Sequence, residues 1–256
     1  MTGIHAAAGI GFAAEAATYV RGRPDYPAEL LAWIEDELAI GPGRVVLDLG
    51  AGTGKFTRLL ARTAAQVVAV EPVAQMRARL SADLPAVRTL EGSAEAIPLA
   101  AGEVDAVVCA QAFHWFATET ALREIRRVLR AGGRLGLVWN VRDESVDWVA
   151  EITRIITPFE GDAPRFYKGE WRRPFASGLF GNLQMKAIDY QHVGPAQEVI
   201  IDRFMSVSFI AALPAEQKVV VEGQLQELVR SHPQLRGRDR VAFPYRTEAY
   251  CCVANG

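Results

Sequence analysis

A glycine-rich turn between a strand-like run and a helix-like run constrains this chain more than any other feature. The stretch VVLDLGAGTGKFTRLLA, from Val45 to Ala61, joins a short β-branched segment to a helical pattern through three glycines in five positions. Glycine permits tight backbone turns and a close ligand approach that a Cβ atom would block. The stretch therefore predicts a strand, a loop and a helix that fold around a small molecule.

Strand-like and helix-like runs alternate on both sides of this turn. The sequence predicts a helix over residues 27–40, and strands over 44–49, 66–71, 87–92, 104–110 and 134–140. The strands lack strict polar alternation, as expected of a parallel sheet covered by helices on both faces. A helical pattern that starts at Glu119 is predicted to end at Gly132 and Gly133. We therefore predict an α/β fold with a doubly wound, mostly parallel sheet.

The remaining residues predict additions to this sheet within a single domain over 1–256. Residues 1–43 are predicted to form an N-terminal lid and helix, and residues 44–144 a cofactor-binding core. Residues 145–235 predict a helical cap or substrate region, with one strand near 182–193 and a helix break at Pro214. Residues 240–254 alternate in polarity and predict the last strand, which forms a late antiparallel hairpin with the strand near 182–193.

Charge and cysteine usage exclude several classes of partner. The net charge of -2 gives no electrostatic case for nucleic acid or an anionic membrane. No apolar run approaches the ~18 residues of a membrane helix. The three cysteines, Cys109, Cys251 and Cys252, lack the spacing of a disulfide framework or a metal site. We therefore predict a soluble, cytoplasmic protein without a metal, and the oligomeric state stays open.

Two familiar phosphate-binding loops match the turn poorly. A P-loop would need glycine where Leu49 stands and a hydroxyl residue where Phe56 stands. The dinucleotide fingerprint needs its third glycine one residue later than Gly54. Because the loop differs from the dinucleotide fingerprint by only one position, a nicotinamide-dependent oxidoreductase is kept as an alternative. A protein that binds its cofactor without catalysing a reaction is a second alternative.

Five motifs in order resemble the class I S-adenosylmethionine-dependent methyltransferases. They are VLDLGAGTGKFTRLLA, VVAVEP, EGSAEAIPL, VDAVVCAQAFHWF and VLRAGGRLGLVWN, and the resemblance covers about residues 12–140. The ending PYRTEAY, residues 244–250, resembles the small-molecule branch that includes trans-aconitate methyltransferase-like enzymes. The resemblance implies a Rossmann-like, seven-stranded sheet whose last strand is inserted antiparallel.

The same resemblance implies an enzyme with S-adenosyl-L-methionine as cofactor and S-adenosyl-L-homocysteine as product. It implies that a small molecule accepts the methyl group, on a carboxylate or hydroxyl oxygen in preference to nitrogen or carbon. The glycine loop then curves around the methionine and ribose parts of the cofactor. Loop and second-strand residues predicted to bind it are Gly50, Ala51, Gly52, Gly54, Glu71 and Pro72.

Each polar residue near this loop has a specific expected role. Glu71, at the end of the second strand, is expected to accept hydrogen bonds from both ribose hydroxyls. Asp48 either braces the loop or reaches the cofactor ammonium through water. Ser93 and Ala94 follow the third strand, where the family wraps the adenine. Gln111 follows the fourth strand, where its carbonyl or amide can meet the methionine ammonium.

The N-terminal segment resembles the lid of the same family. Tyr19 is predicted to close over the methionine moiety, and Arg23 to pair with the cofactor carboxylate, with Arg21 as its alternative. His114 is the candidate catalytic residue, as a base or as a group that orients the acceptor. Its alternative role is packing within FHWF. A carboxylate acceptor is already anionic and needs no base.

Overall fold

The chain folds into two compact units in a computed structural model that describes residues 22–255. Among the described residues, the sheet unit comprises Tyr26–Asn140, Pro164–Ile188 and 247–255. The helical unit comprises 22–25, Val141–Ala163 and Asp189–Arg246.

Seven strands form one sheet in the order β3-β2-β1-β4-β5-β7-β6. Their bounds are β1 Val45–Leu49, β2 Gln66–Val70, β3 Arg88–Leu90, β4 Val104–Ala110, β5 Leu129–Arg142, β6 Gln184–Gly194 and β7 Val241–Val253. β1 pairs in parallel with β2 and β4, β2 with β3, and β4 with β5. The predicted α/β fold with a mostly parallel seven-stranded sheet is therefore confirmed.

The last strand runs antiparallel to β5, as the resemblance implied. The amide of Asp143 donates to the Pro244 carbonyl at 3.2 Å, and the amide of Ala254 donates to the Gly133 carbonyl at 2.9 Å. From the first of these pairs to the second, the residue number decreases on the β5 side and increases on the β7 side. This opposite order defines an antiparallel pair of strands. Phe180 and Ala254 form an antiparallel bridge on the other side of β7.

The helices of the sheet unit follow the predicted alternation. They are α1 Leu30–Asp36, α2 Lys55–Leu60, α3 Ala74–Asp83 and α4 Glu119–Val128. The hydroxyl of Thr118 caps α4 by accepting from the Ala121 amide at 3.1 Å. Leu122 and Ile125 are fully buried on one face of that helix. Neighbouring strand residues such as Val46 and Leu47 are also fully buried, because helices cover both faces of the sheet.

The predicted end of α4 at Gly132 and Gly133 is wrong. The helix ends at Val128, and β5 begins at Leu129. The pairing with β4 shifts from Val104–Leu129 to Ala106–Arg134, so residues 130–133 form a bulge. A Cβ on Gly133 would approach the Arg130 and Asp105 carbonyl oxygens to 2.9 and 3.1 Å. These glycines therefore form a bulge in the strand instead of capping the helix.

The helical unit has its own hydrophobic core. Its helices are α5 Asp147–Ile156, a π-helical turn Gln197–Asp202, α6 Arg203–Met205, α7 Ser208–Ala211 and α8 Ala215–Ser231. The predicted break at Pro214 is confirmed, because α8 starts one residue later. Trp148, Phe204, Phe243 and Leu225 are among the buried residues of this core. The region predicted as a helical cap is thus largely helical.

All three cysteines are free and buried. Cys251 and Cys252 are adjacent on β7, so their side chains point to opposite faces of the sheet. Burial raises the pKa of Cys251 to about 11 and raises the pKa of Cys109 well above its usual value. These thiols therefore stay protonated in the folded chain.

Within residues 22–255, no helix combines the length and the apolar composition required to cross a bilayer.

A glycine in β5 is required by the packing of α1. A Cβ on Gly136 would lie 2.9 Å from Cδ1 of Leu38 and 3.0 Å from the Trp33 ring. Because both neighbours are fully buried and cannot yield freely, we expect Gly136→Ala to lower the free energy of unfolding by roughly 1–3 kcal/mol in urea titration.

The matched control is Gly223→Ala in α8. No described residue lies within 4 Å of a Cβ built there, and Gly223 is inside a helix. Alanine should raise the free energy of unfolding by roughly 0.5–1 kcal/mol. Equal effects of the two substitutions would contradict the packing argument.

Candidate functional site

The glycine loop lies at the carboxyl end of β1 and is tied to β2. Gly50, Gly52 and Gly54 have φ values of +74°, +58° and +84°, a region that favours glycine. The amides of Gly50 and Ala51 both donate to the Val70 carbonyl, at 2.9 and 3.2 Å. The hydrogen bonds and the left-handed residues together give the loop a defined shape.

The space around the loop glycines differs from one to the next. A Cβ on Gly50 would lie 2.9 Å from Cβ of Ala112, so the turn after β4 packs directly against the loop. Among the described residues, a Cβ on Gly52 would have Sδ of Met76, at 3.9 Å, as its one neighbour within 4 Å. Gly50 therefore permits close packing, whereas the described part of the chain leaves space beside Gly52.

Asp48, the β1 residue two positions before Gly50, is a buried carboxyl group. Its Oδ2 accepts from the Thr57 hydroxyl at 2.6 Å, whereas its Oδ1 is enclosed and has no hydrogen-bond partner among the described residues. Burial, with a smaller contribution from the Glu71 charge, raises the pKa of Asp48 to about 7, although the Thr57 hydrogen bond lowers it in part. The contact with Thr57 braces the loop by joining β1 to α2.

Glu71 holds the loop from the end of β2. Its Oε2 accepts from the Gly52 amide at 2.8 Å, and its Oε1 accepts from the Val73 amide at 2.9 Å. The side chain is only 5% exposed. Burial raises the pKa of Glu71, and the two backbone hydrogen bonds oppose that rise. Each oxygen keeps a lone pair that can accept a further hydrogen bond.

The neighbouring strands bring the next candidates to the same edge. Pro72 follows Glu71, and its carbonyl accepts from Arg77 at 3.1 Å. Ser93 pairs with Ala96 in an isolated antiparallel bridge after β3, and Ala94 is buried. Gln111, after β4, has φ +56°, which is uncommon for a residue other than glycine and marks local strain.

The side chain of Gln111 has a backbone partner in the sheet unit. Its Nε2 donates to the Asn140 carbonyl at 3.3 Å, and its own amide donates to the Val138 carbonyl at 2.8 Å. These bonds tie the turn after β4 to the end of β5. The expected role of its amide toward a ligand therefore competes with a structural role.

His114 lies in the short helical turn Phe113–Trp115 and is partly buried. The indole Nε1 of Trp139 donates to Nδ1 of His114 at 3.1 Å. An indole nitrogen can only donate, so Nδ1 of the neutral ring is the acceptor and Nε2 carries the proton. The ring is thereby set up as a hydrogen-bond donor at Nε2.

Trp139 is also the centre of an aromatic cluster in the sheet unit. Its ring centroid lies 4.7 Å from that of Phe166 and 4.7 Å from that of Trp171, and Tyr250 is 5.9 Å away. Arg172 lies over Trp171 at 4.2 Å and donates to the Tyr250 hydroxyl. This packing fixes Trp139 and, through it, the orientation of His114.

One expected cofactor ligand, Arg23, lies in the helical unit. Its Nη2 donates to the Ser206 carbonyl at 3.1 Å. Tyr19 and Arg21 lie outside the described residues. The expected lid residues therefore stay predictions.

Across residues 22–255, no group of three or more His, Cys, Asp or Glu side chains is arranged to hold a metal ion. The polar groups at the sheet edge are hydrogen-bond acceptors and backbone amides, which suit an organic ligand that carries hydroxyl and amino groups. Sequence reasoning missed Thr57, the partner of Asp48. Its position in the first turn after the loop was the available signal.

Known proteins resemble this chain at the level of sequence. A family model described as a methyltransferase domain matches residues 47–137. An uncharacterized methyltransferase-like protein of Schizosaccharomyces pombe is 39% identical over 240 residues, covering 93% of each chain. An uncharacterized methyltransferase of Mycobacterium tuberculosis is 40% identical over 238 residues, again covering 93% of each chain.

Solved structures resemble the fold at lower identity. The YcgJ protein from Bacillus subtilis gives a TM-score of 0.59 at 18% identity, with 90% of this chain and 100% of that chain covered. A geranyl diphosphate methyltransferase in complex with SAM gives a TM-score of 0.51 at 16% identity, covering 89% of this chain and 85% of that chain. At these identities the likeness extends to the fold alone.

The raised pKa of Asp48 makes the stability of the ligand-free protein depend on pH. Below the unfolded-state value of 3.8 the carboxyl group is neutral in both states, and above about 7 it must ionise in a buried position. Its destabilising effect therefore develops between these values. We expect Asp48→Asn to raise the free energy of unfolding by roughly 1–3 kcal/mol at about pH 8, and little at about pH 4.

The control for this measurement is Asp83→Asn. The pKa of Asp83 is lowered, chiefly by a hydrogen bond from Arg79, so its stabilising effect is present at neutral pH and lost in acid. Urea titrations across the pH range should show opposite trends for the two variants. A pH-independent effect of Asp48→Asn would show that its carboxyl group does not titrate as described.

Proposed function

The chain belongs to the class I S-adenosylmethionine-dependent methyltransferases, and from that premise we propose that it methylates an oxygen of a small organic molecule. The observation that best supports a cofactor site at the loop is the position of Glu71. Its buried carboxylate accepts from the Gly52 amide at 2.8 Å beside the glycine turn. We propose that this edge of the sheet binds S-adenosyl-L-methionine.

The residues at this edge fit that cofactor. Within residues 22–255 there is space beside Gly52, which suits a ligand that approaches the backbone closely. Glu71 keeps a lone pair on each oxygen for two ribose hydroxyls, and a fixed carboxylate also repels a phosphate at that position. Asp48 supports the loop beside this site through its contact with the Thr57 hydroxyl. Ser93 and Ala94 are the proposed adenine contacts.

When bound, S-adenosyl-L-methionine supplies a methyl group on a sulfonium that a nucleophile attacks in line. The protein contributes chiefly by position. The left-handed glycines and the two amides held by Glu71 keep the loop in one conformation before the ligand arrives. Orientation of two bound reactants can lower the barrier by roughly 7–11 kcal/mol.

We propose that His114 orients the acceptor by donating a hydrogen bond from Nε2. The indole of Trp139 uses the lone pair on Nδ1, so neither nitrogen of the neutral ring is set up to accept a proton. This favours the orienting role over the role of general base. It also favours an acceptor that is already anionic, a carboxylate, over a hydroxyl.

Two further features support a small-molecule acceptor in a reducing compartment. The ending PYRTEAY resembles the trans-aconitate methyltransferase-like branch, and the net charge of -2 disfavours a nucleic-acid substrate. The cysteines are free and buried, which fits a cytoplasmic location.

The first test separates this proposal from an oxidoreductase. By calorimetric titration we expect S-adenosyl-L-homocysteine to bind and NADH not to bind. Glu71→Gln keeps one oxygen acceptor and removes the charge. Because charged hydrogen bonds to the ribose are lost, it should weaken S-adenosyl-L-homocysteine binding by roughly 1.5–3 kcal/mol.

Glu91→Gln is the matched control, since Glu91 pairs with Arg77 and its side chain is 75% exposed. It should leave the affinity unchanged. Binding of NADH in place of S-adenosyl-L-homocysteine would overturn the proposal. Cofactor binding without formation of S-adenosyl-L-homocysteine on a broad panel of organic acids and alcohols would identify a binding protein without transferase activity.

The role of His114 predicts the pH dependence of turnover. A general base must be neutral, so kcat would fall about tenfold per pH unit in acid if His114 accepted the proton. A donor at Nε2 keeps its proton in acid. With an ionised carboxylate acceptor we therefore expect kcat to stay level from about pH 8 to about pH 6. A steep fall of kcat in acid that His114→Asn abolishes would instead identify His114 as the general base.

A further inference from the structure

Two arginines of the helical unit face the same buried aromatic ring. The guanidinium carbon of Arg142 lies 5.6 Å from the ring centroid of Phe204, and that of Arg203 lies 5.3 Å from it. Phe204 is fully buried. Both cations are within the range of a cation–π contact with one ring, and the charge of Arg203 acts on Arg142.

Neither guanidinium is well solvated. Arg203 is 8% exposed, and the Arg142 side chain is 13% exposed. The Nε of Arg203 donates to the Tyr245 hydroxyl at 3.2 Å, but its Nη1 is enclosed without an acceptor among the described residues. Arg142 contacts the carboxylate of Glu144, at 3.5 Å, whose side chain is 47% exposed.

The balance of charge around the pair remains unfavourable for the cations. Burial, and then the charge of Arg203, lower the pKa of Arg142, and Glu144, Tyr245 and Glu160 oppose that effect only in part. Arg23 adds a third guanidinium to the same segment, since its Nη2 donates to the Ser206 carbonyl. A buried charged donor without an acceptor destabilises a fold, so the arrangement requires another explanation.

We propose that Arg142 and Arg203 form a binding subsite for the carboxylate of a small organic acid. A carboxylate would accept from Nη1 of Arg203 and relieve the repulsion between the two cations. The planar guanidinium matches a carboxylate in geometry. The surroundings favour a singly charged ligand with an apolar body over a phosphate, because the Phe243 ring packs 5.5 Å from Phe204 and 4.8 Å from Tyr245.

Anion binding at this subsite stands on the helical unit alone.

The test measures binding of benzoate, succinate and inorganic phosphate to the full chain by saturation-transfer NMR and thermal shift. Sodium chloride at matched ionic strength is the reference. We expect saturable binding of benzoate to the wild type, and a loss of affinity of about tenfold or more in Arg203→Gln and Arg142→Gln. Arg203→Lys keeps the charge but lacks the planar pair of donors. Its affinity for benzoate should therefore lie between that of the wild type and that of Arg203→Gln.

Arg154→Gln is the control, because the side chain of Arg154 on α5 is 73% exposed and pairs with Glu151. It should bind benzoate like the wild type. Circular dichroism and urea unfolding check each variant. If Arg203→Gln does not fold, Arg142→Gln decides, because Arg142 contacts the more exposed Glu144 and its replacement should disturb the core less.

Several results would overturn the subsite. They are no saturable binding of either carboxylate to the wild type, an unchanged affinity in the folded arginine variants, and binding of phosphate alone. Calorimetry with S-adenosyl-L-homocysteine on the same variants keeps the two proposals separate. Failure of that titration in the wild type removes the proposed function, whereas loss of benzoate binding with normal S-adenosyl-L-homocysteine binding supports the subsite.

Discussion

The shape of the sheet edge depends on one carboxylate that receives two backbone amides. Glu71 joins the turn after β1 to the turn after β2, through Gly52 at 2.8 Å and Val73 at 2.9 Å. Withdrawing a carboxylate from water is costly unless hydrogen bonds replace the lost solvent. These two amides supply that replacement, and in return the carboxylate satisfies two loop amides that regular secondary structure leaves unpaired.

The groups next to Glu71 show a conflict between local stability and the capacity to bind a ligand. Asp48 is buried, and one of its oxygens has no hydrogen-bond partner among residues 22–255, while Gln111 has a positive φ value. Both features are unfavourable in a protein designed for stability alone. They occur at the carboxyl ends of parallel strands, where open α/β sheets bind ligands. The same part of the fold is thus rigid in its backbone and unsatisfied in its side chains.

Local sequence signals predicted the sheet and the loop because both depend on neighbouring residues. The β-branched runs marked β1, β2 and β4, and the glycines marked the turn. The Gly132–Gly133 pair was wrongly predicted to end a helix, because a helix C-cap and a strand bulge both favour glycine. The proton position on His114 depends on Trp139, 25 residues away, and Arg203 meets Tyr245 across 42 residues. Such tertiary partners leave no periodic pattern.

The adjacent cysteines of β7 have a practical consequence for following the motions of this protein. Cys251 belongs to the core cluster on one face of the sheet, and Cys252 lies near the Leu135 carbonyl, at 4.0 Å. Because only a solvated thiolate reacts with alkylating reagents, labelling must await an opening of the strand. Mass spectrometry of the labelled peptide would then measure how fast each face of the sheet becomes exposed, without an engineered cysteine.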